Sequence, residues 1–144
     1  MKYSHIYKTD CYSIALCRAE NALTAFYDER LKEAGITVKQ FCLLENLKGL
    51  QEANTGELAE RVNLERSTLT RNIQILIARG WIYDRAEAGR RAHQYALTEE
   101  GMQILEKASK IWDEVQKEVE DIIGKDKVNE FMETLYKLQN LNRK

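Results

Sequence analysis

Proline is absent from all 144 residues of this chain, and this absence strongly constrains the fold. Proline lacks a backbone N–H and ends or kinks a helix, so every apolar repeat is free to run as an uninterrupted helix. Such repeats recur at steps of three and four over most of the sequence. Together with 44% hydrophobic and 31% charged residues, they predict a mainly α (α+β) protein that forms one domain over residues 1–144.

Capping residues and glycines divide these repeats into six predicted helices. The first spans residues 8–34 and stops at Gly35. Later helices have N-terminal capping or acidic residues at Thr37, Asn54, Thr98 and Asp126. A tight turn at residues 63–65 joins the third helix to the fourth, which is helix-turn-helix spacing. Two short segments, 81–85 and 91–97, then predict a β-hairpin.

The fourth helix carries apolar and polar residues on opposite sides. At about 100° per residue, one side is apolar and is predicted to be buried: Leu69, Ile73, Leu76 and Ile77. The other side is polar and slim, with Thr68 and Thr70 at its flanks: Ser67, Arg71, Gln74 and Ala78. Such hydroxyl, amide and guanidinium groups contact phosphates and read base edges. A lone helix of this kind is more often a solvated face, but the preceding turn and the following hairpin favour DNA recognition.

Charge is distributed unevenly along the chain. The net charge is −1, yet residues 61–95 hold seven of the ten arginines against three acidic residues, a local charge of +4. Residues 99–133 hold five lysines against eleven acidic residues, a local charge of −6. A basic segment beside an acidic one is the pattern expected when only part of a protein contacts a polyanion.

These segments resemble the multiple-antibiotic-resistance regulator (MarR) family of transcription factors. The resemblance is carried by LAERVNLERSTLTRNIQILIARGWI and RRAHQYALTEEG, with GITVKQFCLLENL before them. It implies a winged helix-turn-helix lobe with a two-stranded β wing at residues 37–97. It also implies an intertwined dimerisation region formed by residues 1–34 and 99–144. Such a homodimer grips a near-palindromic operator in double-stranded DNA.

Carried over by position, the resemblance implies contacts with the major groove or its flanking phosphates from Ser67, Thr68, Thr70, Arg71 and Gln74. Charge adds candidate phosphate contacts, with Arg90 at the tip of the wing: Arg66, Arg71, Arg85, Arg90 and Arg91. Wings of the family usually carry Asp-x-Arg, whereas this chain has Gly89-Arg90-Arg91. Arg91 matches the motif arginine, but Gly89 replaces its acidic partner, and whether Asp84 or Glu87 substitutes for that partner stays open.

The resemblance also implies a sensor. Members of the family release DNA when a phenolic or other aromatic effector enters a pocket between the DNA lobe and the dimer helices, or when a cysteine is oxidised. The candidate thiols are Cys11, Cys17 and Cys42. Cys11 and Cys17 are separated by about 9 Å of helical rise, beyond the roughly 7 Å that a disulfide spans. Pairing across the dimer or with Cys42 stays open, and the apolar neighbours of Cys42 predict a small buried residue.

Other functions find little support in the sequence. The first ten residues do not resemble a signal peptide and no apolar run approaches the length of a membrane span, which predicts a cytoplasmic protein without a membrane partner. The two histidines, His5 and His93, assemble neither a metal site nor a catalytic triad, and His93 is interpreted as a wing surface residue. We therefore expect no enzyme activity, no cofactor and no metal.

Two hypotheses remain after these exclusions. The favoured one is a DNA-binding transcriptional regulator, a repressor rather than an activator. The alternative is a helical dimeric adaptor that binds other proteins and not DNA, which the acidic C-terminal face would suit. The adaptor gives no reason to concentrate seven arginines in residues 61–95, so the arginine cluster favours the regulator.

Overall fold

The computed structural model describes residues 6–87, 89 and 92–143. The described elements follow the predicted order, with six α-helices and one antiparallel hairpin. They are α1 (Tyr12–Leu31), a short 3-10 helix (Lys32–Ala34), α2 (Val38–Leu50), α3 (Thr55–Val62), α4 (Arg66–Ala78), β1 (Ile82–Asp84), β2 (Tyr95–Leu97), α5 (Glu99–Ile123) and α6 (Val128–Gln139). The predicted mainly α fold with a winged helix-turn-helix is therefore confirmed.

The helix boundaries follow the local capping chemistry. Three predicted caps accept the expected backbone hydrogen bonds, at Thr37, Asn54 and Thr98. Gly35 has φ +73° at the end of the first helical segment, where the left-handed conformation favours glycine. Two predicted starts are displaced: α1 begins at Tyr12 rather than at residue 8, and α6 begins two residues after Asp126. The α6 start lies within the one or two residues by which helix ends commonly vary. The later start of α1 follows from Cys11, its N-cap residue, which has an extended backbone with φ −83° and ψ 111°.

The hydrophobic core joins α2, α3, α4 and the hairpin to α5. Its fully buried side chains are Leu31, Leu43, Leu44, Leu47, Leu58, Leu69, Ile73, Leu76, Ile82, Leu105 and Val115. Burial of each such side chain contributes roughly 1.5–3 kcal/mol relative to exposure. Three of the four residues predicted for the buried side of α4 are in this core. The prediction for Ile77 is wrong, since it is 40% exposed and lies at the edge of the apolar stripe rather than at its centre.

The two ends of the chain contribute little to this core. Every side chain from residue 11 to residue 23 is exposed, and α6 buries none of its residues. The exposed side chains include large apolar ones, such as Tyr12, Leu16, Leu23, Phe131 and Tyr136. Much of α1 and all of α6 therefore lie outside the packed interior of the protomer.

The hairpin is fastened on both sides. Ile82 pairs with Leu97 and Asp84 with Tyr95, and Tyr95 forms two further backbone hydrogen bonds with Ala53, of 3.0 and 2.8 Å. On its other side, the Thr98 amide donates to the Trp81 carbonyl at 3.1 Å. The stem of the wing is thereby fixed to the α2–α3 connection and to the start of α5.

Candidate nucleic-acid interface

A short turn orients α4. Asn63 ends α3 in the left-handed conformation, with φ +51°, and its amide donates to the Ala59 carbonyl at 3.2 Å. Glu65 is the N-cap of α4 but forms no side-chain capping bond. Within the described part of the chain, no side-chain capping bond is formed at the start of α4, so its first turn presents backbone N–H groups and the positive end of the helix dipole.

The polar face of α4 is accessible as predicted. Arg66, Ser67, Thr70, Arg71 and Gln74 are exposed, and Thr68 is half-buried. Among the described residues, neither arginine of this face forms an ion pair. Both guanidinium groups are therefore available to an external anion, while the opposite face of the same helix is anchored in the core.

A polar contact between α2 and α4 supports this orientation. Gln40 is the buried polar residue of the described chain, and its side-chain amide donates to Asn72 Oδ1 at 3.4 Å. Asn72 in turn donates to the Thr68 carbonyl at 3.1 Å. Buried polar groups require such partners, so this chain of hydrogen bonds specifies how α4 packs against α2.

The wing places one predicted phosphate contact at its base. Arg85 forms an ion pair with Glu52 at 3.0 Å, and both side chains are about half exposed. An exposed pair of this kind contributes only about 0.2–1 kcal/mol, so Arg85 can exchange Glu52 for a phosphate. Arg90 and Arg91 lie outside the described residues.

Whether Asp84 or Glu87 pairs with Arg91 stays a prediction, because Arg91 lies outside the described residues. Asp84 does anchor the stem of the wing. Its Oδ1 atom accepts hydrogen bonds from the amides of Ala86 and Gln94, both at 2.9 Å. Its Oδ2 atom lies 2.7 Å from His93 Nδ1. The Gln94 amide and, after it, the His93 ring lower the pKa of Asp84 below its usual value. One carboxylate thus closes the stem of the wing.

His93 is the site residue that sequence reasoning missed. Its ring lies parallel to that of Tyr95, with centroids 5.2 Å apart, and pairs with Asp84. The available signal was its position two residues before a strand that pairs with β1, on the same side of the hairpin as Asp84. His93 is at the surface, as interpreted, but it is a structural partner there.

A cavity of about 460 Å³ separates α1 from the helix-turn-helix. Its walls come from α1, α2 and the α3–α4 turn: Glu20, Thr24, Val38, Lys39, Cys42, Val62, Asn63 and Leu64. The predicted burial of Cys42 is wrong, because Phe41, Leu44 and Leu47 face the core and leave Cys42 on the cavity side. The residue is exposed, but the cavity walls partly desolvate its sulfur. This desolvation, with a smaller contribution from Glu45, raises the pKa of the Cys42 thiol.

The other two cysteines lie along the exposed part of α1. Cys11 is the N-cap residue of α1, and Cys17 lies six residues further along the helix. All three cysteines are free thiols. Among the described residues, no group of three or more His, Cys, Asp or Glu side chains is placed to hold a metal ion.

Across residues 6–87, 89 and 92–143, none of the helices combines the length and the apolar character needed to cross a membrane.

Known proteins share this architecture. Residues 36–120 match the family model described as the HVO_A0261 N-terminal domain. The structure of the M. tuberculosis transcriptional regulator MosR in complex with DNA is 31% identical and has a TM-score of 0.78, with 94% of this chain and 100% of that chain covered. A mutant of E. coli MarR complexed with operator DNA is 20% identical, with a TM-score of 0.79 and coverage of 88% and 91%. NadR in complex with 4-hydroxyphenylacetate is 23% identical, with a TM-score of 0.72 and coverage of 95% and 98%. No curated protein matches the chain.

The winged lobe, its exposed recognition helix and these similarities define a class of protein: a DNA-binding transcriptional regulator of the winged helix-turn-helix type. The chain belongs to the MarR family, and its residues 36–120 belong to the HVO_A0261 N-terminal domain family. The proteins it is similar to are transcriptional regulators.

Proposed function

We propose that this chain acts as a homodimeric repressor that binds a near-palindromic operator. The observation that carries the proposal is the polarity of α4, which buries Leu69, Ile73 and Leu76 while exposing the polar face of its first turns. A helix anchored in this way presents its donors as a rigid set, which suits insertion into the major groove. Occupation of an operator by such a dimer blocks transcription directly.

The uncovered helices support the dimer. Side chains such as Leu16 and Leu23 on α1 and Phe131 and Leu138 on α6 remain 39–42% exposed in the protomer. Apolar stripes on two helices that one lobe leaves uncovered are a suitable interface for a second copy. We therefore propose residues 1–34 and 99–144 as the dimerisation region and residues 37–97 as the DNA lobe. Two-fold symmetry then requires half-sites about one DNA turn apart.

The DNA-contacting residues divide into two groups. Phosphate contacts position the dimer without reading sequence, and we assign them to Arg66, Arg71, Arg85, Arg90 and Arg91. Sequence readout is assigned to the exposed face of α4, from Ser67, Thr70, Arg71 and Gln74. Thr68 is half-buried, which suits a contact with a flanking phosphate better than one with a base edge.

The 460 Å³ cavity is proposed as the effector site. Its volume suits a small aromatic molecule, and its Lys39 offers a cation to a phenolate or a carboxylate. Because α1 forms one wall and the α3–α4 turn another, an occupant there changes the distance between the two recognition helices of a dimer. An effector that binds more tightly to the dimer whose α4 helices are wrongly spaced for the operator shifts the population toward that dimer. The operator is then released.

Cysteine oxidation is proposed as a second route to release. The thiolate is the reactive form, and the raised pKa of Cys42 leaves that sulfur protonated at neutral pH. Cys11 and Cys17 are exposed on α1, the helix proposed to form the dimer interface. These two thiols are therefore the better candidates for a redox sensor, with pairing across the dimer as the available disulfide.

The proposed cellular location follows from the DNA partner. We place the protein in the cytoplasm and assign it no catalytic activity, since the proposed action consists of binding and release alone.

Two variants test the proposal directly. Arg71→Ala removes a guanidinium from the exposed face of α4, and the control Lys110→Ala removes one positive charge from an exposed position on α5. We expect Arg71→Ala to weaken operator binding by about ten-fold or more, and Lys110→Ala to leave it nearly unchanged. Equal effects of the two substitutions would show that α4 does not contact DNA. A wild-type protein that binds no duplex at all would favour the protein adaptor.

A further inference from the structure

Among the described residues of the wing, Asp84 and His93 form an ionisable pair at its stem. Asp84 precedes the wing loop and His93 follows it, and Asp84 Oδ2 lies 2.7 Å from His93 Nδ1. The other carboxylate oxygen of Asp84 accepts the amides of Ala86 and Gln94. The Asp84 side chain therefore joins the outgoing and the returning strand, and His93 is one of its described partners.

A histidine in this position differs from an arginine in one important respect. Arginine is charged at every physiological pH, whereas a histidine ordinarily loses its proton near pH 6.5. A hydrogen bond from a charged donor to a carboxylate is roughly twice as strong as a neutral one. A link through a histidine is therefore open to control by pH, whereas a link through an arginine is not.

We propose that His93 is a positioning residue for DNA binding: its protonated ring holds Asp84 across the wing loop, and the wing grips DNA more tightly when His93 is charged. The inference rests on the proposed contact between the wing and DNA. A loop that is already held in place loses less conformational freedom when it binds. The added positive charge also favours the polyanion.

The other charged and titratable groups around the pair come from the wing itself and from the α2–α3 connection. Arg85 follows Asp84 and is paired with Glu52 of the α2–α3 connection. Tyr95, on which the His93 ring stacks, has its pKa raised by burial and stays neutral. Glu87, Arg90 and Arg91 stand between Asp84 and His93 in the sequence and add further charges there. Histidine is the residue type in this set whose ordinary pKa lies nearest neutrality, so the variants of His93 test any pH dependence of the wing.

The experiment is a fluorescence titration of operator DNA between about pH 5 and pH 8 at constant ionic strength. It compares the wild type with His93→Gln, which removes the charge, and with His93→Arg, which keeps it at every pH. His5→Gln is the matched control, because His5 and His93 are the two histidines of the chain. A side-chain carboxyl titration by NMR follows Asp84 in the free proteins and also reports whether the variants are folded.

We expect the wild type to lose affinity for the operator as the pH rises. This loss should exceed the loss in His93→Gln by a factor of about two to five for each wing. His93→Arg is expected to bind as tightly as the wild type at low pH and to keep that affinity at high pH. His5→Gln is expected to follow the wild type. In the free protein, His93→Gln should raise the pKa of Asp84.

Two results would overturn the inference alone, namely a wild-type pH profile in His93→Gln or an unchanged pKa of Asp84 in that variant. Failure of the wild type to bind duplex DNA at any pH would instead overturn the proposed function. The two failures are therefore distinguishable within one set of titrations.

Discussion

Of the glycines in the chain, Gly101 leaves the least space for an added methyl group. It lies in the first turn of α5, under the start of the wing. A Cβ atom built at Gly101 would meet the Trp81 carbonyl oxygen at 2.1 Å and the carbonyl carbon at 3.0 Å. Backbone atoms cannot rotate away as a side chain does, so in Gly101→Ala α5 and the start of the hairpin must move apart.

The expected cost follows from what this movement breaks. Overpacking of an interior contact costs about 1–3 kcal/mol. The Trp81 carbonyl also accepts the Thr98 amide at 3.1 Å, a hydrogen bond worth about 1 kcal/mol net. Replacing a helical glycine by alanine raises the free energy of unfolding by at most about 1 kcal/mol through helix propensity. We therefore expect Gly101→Ala to lower the free energy of unfolding by about 1–3 kcal/mol.

Urea unfolding followed by circular dichroism measures this change, at one protomer concentration because dimerisation contributes to stability. Gly49→Ala is the matched control, since Gly49 lies within α2 with no atom within 4 Å of a new Cβ. It should stabilise the protein by up to about 1 kcal/mol. If Gly101→Ala were as stable as Gly49→Ala, the close packing of α5 against Trp81 would be refuted.

Three further predictions concern binding, oxidation and acid. Gln74→Ala should mainly relax base preference, whereas Arg90→Ala should weaken binding to all duplexes and reduce the salt dependence by about one phosphate contact. Titrations on operator and random DNA compare them, and equal effects on both duplexes would contradict the division of labour. Mild peroxide should release DNA from the wild type but not from Cys11→Ser, and identical release would remove Cys11 from the mechanism. Since the pKa of Asp84 is lowered in the folded protein, its stabilising contribution is present above the ordinary carboxyl pKa and is lost as the pH falls through the lowered value. Acid unfolding of Asp84→Asn should lack this part of the pH dependence, and an acid transition like that of the wild type would contradict it.

The fold was predictable where local chemistry and periodicity agree. Thr37, Asn54 and Thr98 cap helices because their side chains satisfy free backbone N–H groups. Leu69, Ile73 and Leu76 are buried because their spacing matches the helical repeat. Capping and periodicity both depend on residues close together in the chain, so the sequence alone predicts them.

The remaining features depend on contacts that a local pattern does not encode. Cys42 has apolar neighbours, but its exposure follows from which side of α2 meets the core. The pair of Asp84 and His93 forms because the hairpin register brings together two residues nine positions apart. Ile77 lies at the edge of a stripe whose width is set by the packing of α4 and not by its period.

The most direct test of the regulator is a titration of the purified protein against the DNA upstream of its own gene and against a random duplex, at two salt concentrations. We expect that a dimer protects a near-palindromic site in the upstream DNA and binds it about a thousand-fold more tightly than random sequence. We also expect added salt to weaken binding to both duplexes, because phosphate contacts release counterions. Equal and weak binding to the two duplexes at both salt concentrations would contradict sequence recognition by α4 and would direct attention to protein partners.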